Sequence, residues 1–297
     1  MKQQKAGLPN TYVVQDLSDG KEVQRLAVQD FMLTHAMGGV LPEQENPSTF
    51  SRVLDIACGP GGWLLELATE YQLVQAEGID VNAKNIEYAN AHAEQRGLAN
   101  RVKYQVMDAT LMLRFPPATF DLVNLRLGQS FLRTWDWPKM ISEMLRVARP
   151  GGMIRVVEGS VVPTSSSAAL TEVFMTIVRA FRASGRLHEE TPTGMALQIA
   201  PLLHQHGVKE VQSKVFDVVF RQGTEVGEAH YQDIAHLIET IRPFLQKFAN
   251  GAKDFDAVGQ QALLDIQQPG FESTGIMVVA WGKKASETTS TRFRDGE

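Results

Sequence analysis

At 297 residues, 43% of them hydrophobic and 21% charged, the chain can bury a core for one elaborated domain or two small ones. A net charge of −5 argues against nucleic acid, whose binders carry a basic stripe, and a single cysteine excludes an internal disulfide framework or a thiolate metal cluster. The polar start Met1-Lys2-Gln3-Gln4-Lys5 leads into no apolar h-region, and no apolar run approaches the length of a membrane span, so a cytoplasmic protein with no membrane span is expected.

Residues 1 to about 10 are polar and read as disordered. Val23 to Met37 has a helical pattern and precedes a loop of turn formers, Leu41-Pro42 to Ser48. Val53, Leu54 and Ile56 form a short apolar strand that runs into Gly59, Gly61 and Gly62. Trp63 to Glu70 then has helical spacing, with Leu64, Leu67 and Ala68 on one face. Leu73 to Ile79 reads as a second strand ending in Asp80. Asn82 is placed to cap a helix from Ala83, and Gly97 to end it. Strands follow at Val102–Val106, Phe120–Arg126 and Met153–Val157, with a helix over Trp135–Val147. Such alternation is the signature of a parallel sheet covered on both faces by helices, an α/β fold. Beyond Glu158, helical stretches are expected at Ser167–Ser184 and Thr193–His206 and a strand at Val211–Phe220. Two helical patterns lie in Thr224–Gln268, and a last strand at Gly275–Trp281. The tail from Ala285 is polar and reads as flexible.

The chemistry concentrates in Asp55-Ile56-Ala57-Cys58-Gly59-Pro60-Gly61-Gly62. A strand, a glycine turn and a helix N-terminus make a nucleotide or cofactor cradle. A phosphate loop would need Lys followed by Ser or Thr after the glycines, and none is present. The dinucleotide fingerprint is met only if Ala57 replaces its first glycine, and Asp55 would be a poor neighbour for a pyrophosphate. A carboxylate there suits a cationic ligand with ammonium and sulfonium groups over the loop, as in S-adenosylmethionine.

The stretch resembles motif I of the class I S-adenosylmethionine-dependent methyltransferases, and Asp80, Met107-Asp108-Ala109, Phe120-Asp121-Leu122-Val123-Asn124-Leu125-Arg126 and Arg149-Pro150-Gly151-Gly152 continue the likeness over residues 50 to 160. The resemblance implies a Rossmann-like, seven-stranded, mostly parallel sheet of order 3-2-1-4-5-7-6 with the last strand antiparallel. It implies a domain over 49–284 with helical lid insertions at about 164–206 and 224–268, an N-terminal lid segment over 1–48 and a flexible tail over 285–297. By motif position, Asp55, Ala57, Gly59 and Gly61 would surround the methionine portion, Asp80 the ribose, and Val81 the adenine face. Asp108 and Ala109 would meet the adenine edge, and Asn124, Leu125 and Arg126 the ammonium. The phrase Asp108-Ala109 to Phe115-Pro116 and Thr119-Phe120-Asp121 is similar to the quinone C-methyltransferase branch and its natural-product relatives. The N-terminal segment resembles that of bacterial natural-product methyltransferases, which makes Tyr12 either a cofactor contact or an anchor for its helix.

Methyl transfer is an in-line displacement, so positioning and exclusion of water can supply much of the rate without a conspicuous catalytic group. His188, His230 and Tyr231, with Glu189, Glu190 and His236 beside them, are the candidate bases in the lid segments. No histidine pair has convincing metal spacing with a third ligand, so no metal is expected. Cys58 reads as a small packing residue beneath the cofactor. The acidic balance and apolar lid favour a small, largely apolar acceptor in secondary metabolism. Methylation at carbon, oxygen or nitrogen stays open, and the long N-terminal helix offers a face for pairing subunits. Two other classes stay open: a methyltransferase-fold binding module or cyclase, which would share these motifs, and a nicotinamide-dependent oxidoreductase, which ligand preference would separate.

Overall fold

The computed structural model describes residues 11–14, 20–72, 74–249 and 254–286. The expectation of disorder over residues 1 to 10, and of a flexible tail beyond residue 286, lies outside the described residues. The chain opens with helix α1 (Gly20–Ala36), then alternates strand and helix: β1 (Arg52–Ile56), α2 (Gly62–Glu70), β2 (Gln75–Asp80), α3 (Ala83–Gln95) and β3 (Val102–Val106). It continues through β4 (Phe120–Arg126), α4 (Trp137–Val147), β5 (Ala148–Gly159) and a two-residue strand β6 (Thr164–Ser165). Helices α5 (Ala168–Ala183) and α6 (Ile199–Gln205) precede β7 (Lys209–Arg221). Three helices, α7 (Glu225–Thr240), α8 (Arg242–Phe248) and α9 (Phe255–Ile266), precede β8 (Glu272–Lys283).

The strand order is β3-β2-β1-β4-β5-β8-β6, with β7 also paired to β8. Strands β1 to β5 run parallel, and β8 runs antiparallel to β5, β6 and β7. Apart from β6, this is the expected 3-2-1-4-5-7-6 order with β7 and β8 as the sixth and seventh strands. The short β6 was not visible in the sequence because two residues carry no periodicity. The second insertion holds three helices rather than two, because Arg242-Pro243 starts a new helix where α7 ends. The stretch 193–206 also begins later as α-helix than expected, with a 3-10 turn at Ala196–Gln198 before α6.

Side-chain alternation divides the core between the two faces of the sheet. Leu54, Ile56, Val123, Leu125, Ile154 and Val156 face α4 and α5. Val53, Ala76 and Leu122 face α2 and α3. The central strands β1 and β4 are buried almost end to end, as a sheet covered on both faces requires. Asn82 caps α3, accepting from the Lys84 backbone N–H at 3.0 Å. At the other end of α3, Gly97 adopts φ +67°, the left-handed stop that glycine takes most readily.

One glycine in this framework is fixed by its neighbour across the sheet. Gly78 on β2 pairs with Tyr104 on β3, and a Cβ at Gly78 would lie 2.5 Å from the Tyr104 ring and 2.9 Å from Cys58 Sγ. Tyr104 cannot retreat, because its hydroxyl donates to the Gly61 carbonyl at 2.6 Å. Gly78→Ala is therefore expected to destabilise the fold by about 1–3 kcal/mol through overpacking. An unchanged urea midpoint would contradict this packing.

Candidate functional site

A polar row crosses the α2 side of the sheet. Asp55 on β1 accepts from Asn124 Nδ2 on β4 at 2.8 Å, and Asn124 Oδ1 accepts from Arg155 on β5 at 2.8 Å. Arg155 then forks onto Glu43 at 2.8 and 3.1 Å. All of these side chains except Glu43 sit on adjacent strands in direct register, Asp55 opposite Asn124 and Asn124 opposite Arg155. Asp55 Oδ2 is buried without a hydrogen-bond partner. Burial pushes the Asp55 carboxyl up to about 7, with Arg126 and Asn124 opposing and Asp30 adding to the rise.

Above this row, at the carboxyl ends of the strands, lies a cavity of about 360 Å³. Its floor is the loop Ala57 to Pro60, in which Ala57 and Gly59 take φ of +55° and +54°. Asp80 closes one side. Its carboxylate accepts from the Gly59 N–H at 3.0 Å, the Asn82 N–H at 2.8 Å and Asn85 Nδ2 at 3.2 Å. Burial raises the Asp80 pKa, and those three donors oppose the rise. Val81, Met107, Asp108 and Ala109 continue the wall. Asp108 Oδ1 is taken by the Thr110 N–H and hydroxyl at 2.8 and 2.7 Å.

The opposite wall comes from α1, the segment Thr11–Val13, α5 and α7. The Val13 N–H donates to the Ser130 carbonyl at 3.1 Å, and Arg186 donates to the Thr11 carbonyl, so this segment is tied across the cavity. Tyr12 donates to Glu22 at 3.0 Å and accepts from Arg25 at 3.1 Å. Arg25 also binds Glu22 and reaches Asp233 on α7 at 2.7 Å. Burial, opposed by Arg25 and reinforced by Glu22, holds the Tyr12 phenol well above its ordinary range. The remainder of this half is apolar, with Leu26, Leu33, Phe174, Ile177, Phe181 and Ile241 on the cavity surface.

Of the residues expected at the site, Tyr12, Ala57, Gly59, Asp80, Val81, Asp108, Ala109 and Arg126 line this one cavity. Asp55, Gly61, Asn124 and Leu125 do not. Asp55 and Asn124 are spent on the polar row beneath the loop. Gly61, φ +81°, packs against Tyr104 and gives it a carbonyl acceptor. Leu125 is wholly within the core. The candidate bases His188, His230 and Tyr231 are also absent from the cavity wall. His188 is exposed on the loop after α5. His230 is stacked on Phe220 with ring centroids 4.0 Å apart, and burial holds its pKa down to about 4, so it is a neutral packing residue. Tyr231 packs against the main core. Cys58 is buried in the loop, with its thiol pushed well above the usual range chiefly by burial.

Part of the chain is similar to known proteins. Residues 53–152 match the methyltransferase domain model. Norajmaline N-methyltransferase of Rauvolfia serpentina is 37% identical over 105 residues, covering 35% of this chain and 35% of the relative. The 27-O-demethylrifamycin SV methyltransferase of Amycolatopsis mediterranei is 33% identical over 132 residues, covering 44% of this chain and 46% of the relative. The matched region thus spans less than half of either relative. Among solved structures, a phosphoethanolamine N-methyltransferase 2 of Haemonchus contortus, in complex with phosphomonomethylethanolamine and S-adenosylhomocysteine, superimposes with a TM-score of 0.50. That likeness is at 18% identity over 91% of this chain and 60% of that one, and it concerns the fold. The likeness to methyltransferases is thus carried by part of the chain, residues 53–152 for the domain model.

The cofactor that the resemblance implies is S-adenosylmethionine, and the residues present fit it. The cavity wall carries four carboxylates, Glu22, Asp30, Asp80 and Asp108, against two guanidiniums, Arg25 and Arg126. The unpartnered Asp55 oxygen lies below. A site with an excess of buried negative charge suits a ligand whose sulfonium and ammonium outnumber its carboxylate. Among the described residues no group of three or more His, Cys, Asp or Glu is arranged to hold a metal. Asp121 is occupied at the far end of β4 by Ser51, Arg52 and Arg149, which together hold its carboxyl down at about 2 against burial.

The inward charges of α1 are what the sequence reading missed. Glu22, Arg25 and Gln29 recur at helical spacing beside Leu26 and Leu33, so the face turned to the cavity is mixed in character and reads as an ordinary solvated helix. The usable signal was a charged residue at a position where the apolar stripe should continue.

A second buried acid supports the turn after β4. Glu158 accepts from the Gln129 N–H at 3.2 Å, its other oxygen has no partner, and burial pushes its pKa up to about 8. An unfolded glutamate titrates near about 4.3. The folded state therefore holds this proton more tightly, and the resulting stability is complete below about pH 4 and lost as pH rises through about 8. Glu158→Gln should remove that share of the pH dependence of the denaturation midpoint. A variant that loses stability with pH as steeply as the wild type would refute the assignment.

Proposed function

We propose that the protein transfers the methyl group of S-adenosylmethionine to a small, largely apolar acceptor. The observation that carries this reading is a single cavity with two chemically different halves. One half joins the glycine loop, Asp80 and Asp108. The other is formed by aliphatic and aromatic side chains of α1, α5 and α7. In this reading Asp80 holds the ribose through its remaining lone pairs, Asp108 and Ala109 meet the adenine, and Val81 covers its face. The cofactor supplies an electrophilic methyl group, and the chain's own residues orient the acceptor and exclude water. Segment 11–14, α1 and the two helical insertions act as the lid.

The acceptor class follows from the apolar half. Six aliphatic and aromatic side chains there, Leu26, Leu33, Phe174, Ile177, Phe181 and Ile241, offer dispersion and burial rather than charge. Polar features of the acceptor would meet Tyr12, Gln29 or Ser130 on the same wall. The norajmaline N-methyltransferase and 27-O-demethylrifamycin SV methyltransferase to which part of the chain is similar support an acceptor from secondary metabolism.

Removal of the Asp80 carboxylate tests the cofactor half. Asp80→Ala should weaken S-adenosylhomocysteine binding by roughly 1.5–3 kcal/mol, the worth of hydrogen bonds to a charged group, while the protein stays folded. Calorimetry showing unchanged affinity in a folded variant would overturn the ribose assignment. Incubation with S-adenosylmethionine and a panel of apolar phenols, amines and activated carbon acids, read by mass, then tests transfer itself.

A further inference from the structure

The apolar lining of the cavity divides between two separate clusters of the core. Phe131, Phe174, Ile177, Phe181 and Ile241 belong with the main cluster, which gathers residues of α4, α5, α7 and α8 on one face of the sheet. Leu33, Met37, Leu127, Val157 and Met277 belong with a different cluster, shared with Val218 and Phe220 of β7 and Val279 of β8. On β5 the change of side takes two residues. Val156 packs in the first cluster and Val157 in the second, as alternation along a strand requires. The cavity therefore passes over the carboxyl end of β5 and has an arm on each face of the sheet.

The two arms differ in chemistry. The first carries the rings of Phe131, Phe174 and Phe181, which suit a flat, unsaturated group. The second is lined by leucine, valine and methionine side chains, and the unbranched thioether of methionine adapts to irregular aliphatic shapes. Asp30 and Arg126, which precede Leu33 and Leu127 on α1 and β4, are paired with one another.

The backbone of Leu127 adds an independent observation. Its φ of +55° and ψ of +38° lie in the left-handed region, which glycine enters freely and leucine only at a cost. The conformation is held by the Leu127 N–H, which donates to the Val157 carbonyl at 2.8 Å. It is held also by the Leu127 carbonyl, which accepts from the Ser130 N–H at 3.1 Å and hydroxyl at 2.8 Å. The turn thus keeps a leucine side chain on the cavity where glycine would relieve the strain. Strain retained beside a cavity points to a function for the side chain that causes it.

We propose that the second arm receives an aliphatic tail of the acceptor, while the group that takes the methyl lies in the phenylalanine-lined arm. The acceptor class is then a ring that carries an aliphatic chain. Leu33 from α1 and Met277 from β8 set the length of chain admitted. This rests on the methyl-transfer reading and deepens it, since the cofactor half of the cavity contributes none of these residues.

The test is calorimetric titration of the full chain, saturated with S-adenosylhomocysteine, with para-cresol, para-butylphenol and para-hexylphenol. Each methylene that enters the arm should tighten binding about fourfold, until the arm is full. Leu33→Trp should remove that gain while S-adenosylhomocysteine binds within about twofold of the wild type. Met277→Ala should extend the gain to longer chains, a result that a folding defect cannot produce. Affinity independent of chain length would overturn the proposal, as would a gain that survives Leu33→Trp or the failure of every alkylphenol to bind the saturated protein. A Met277→Ala protein that stops at the wild-type length would overturn the part assigned to β8. Parallel loss of S-adenosylhomocysteine in a Leu33→Trp protein with a wild-type thermal melt would return the arm to the cofactor and overturn the proposal too. Failure of the wild type to bind S-adenosylhomocysteine would instead sink the cofactor reading beneath it.

Discussion

The structure depends on a row of buried polar side chains across three parallel strands. Asp55, Asn124 and Arg155 face one another in register, and Glu43 closes the row from the loop after α1. A slip of one residue in any of these strands would turn its polar member to the opposite, apolar face of the sheet. It would also leave the others as uncompensated buried charge, which is far costlier than a lost hydrophobic contact. The row therefore fixes the relative height of β1, β4 and β5. With that height it fixes the glycine loop, the end of β4 at Arg126, and Glu158 under the turn that follows β4.

From that alignment the cavity follows. The carboxyl ends of β1, β2, β3 and β4 deliver Ala57, Asp80, Asp108 and Arg126 to one edge, as open parallel sheets do. Helices that follow the strands point their N-termini towards the same edge. Helix α1 and the insertions then cover it from above, and they carry charge inward as well as apolar surface. Glu22, Arg25 and Asp233 form a hydrogen-bonded network with Tyr12 on that wall. Arg126 is paired with Asp30 and Thr34 on the same wall and lies over the Trp63 ring.

Most of the α/β core was legible because its signals are local. The strands at Val102–Val106 and Phe120–Arg126 have the bounds expected of them, and Asn82 caps its helix as an asparagine before a helical pattern should. The order of the sheet was legible only through the family resemblance, since periodicity does not state which strands are neighbours. Of the residues expected at the site, those at strand ends line the cavity, and those whose side chains are diverted do not. Asp55 looked like a cofactor ligand from its place in the motif, yet the cross-strand register gives one of its oxygens to Asn124. His230 looked like a base from its chemistry, and a flat stack on Phe220 removes it. Asp30 gave no sign, because the Arg126 that pairs with it lies 96 residues along the chain.

The most direct measurement is a calorimetric titration of the purified protein with S-adenosylmethionine, S-adenosylhomocysteine and NAD in parallel. Binding of both sulfur ligands with none of NAD is the result this account predicts. Binding of NAD alone would contradict the reading of the glycine loop as a cradle for a cationic cofactor, and the assignment of the cavity with it.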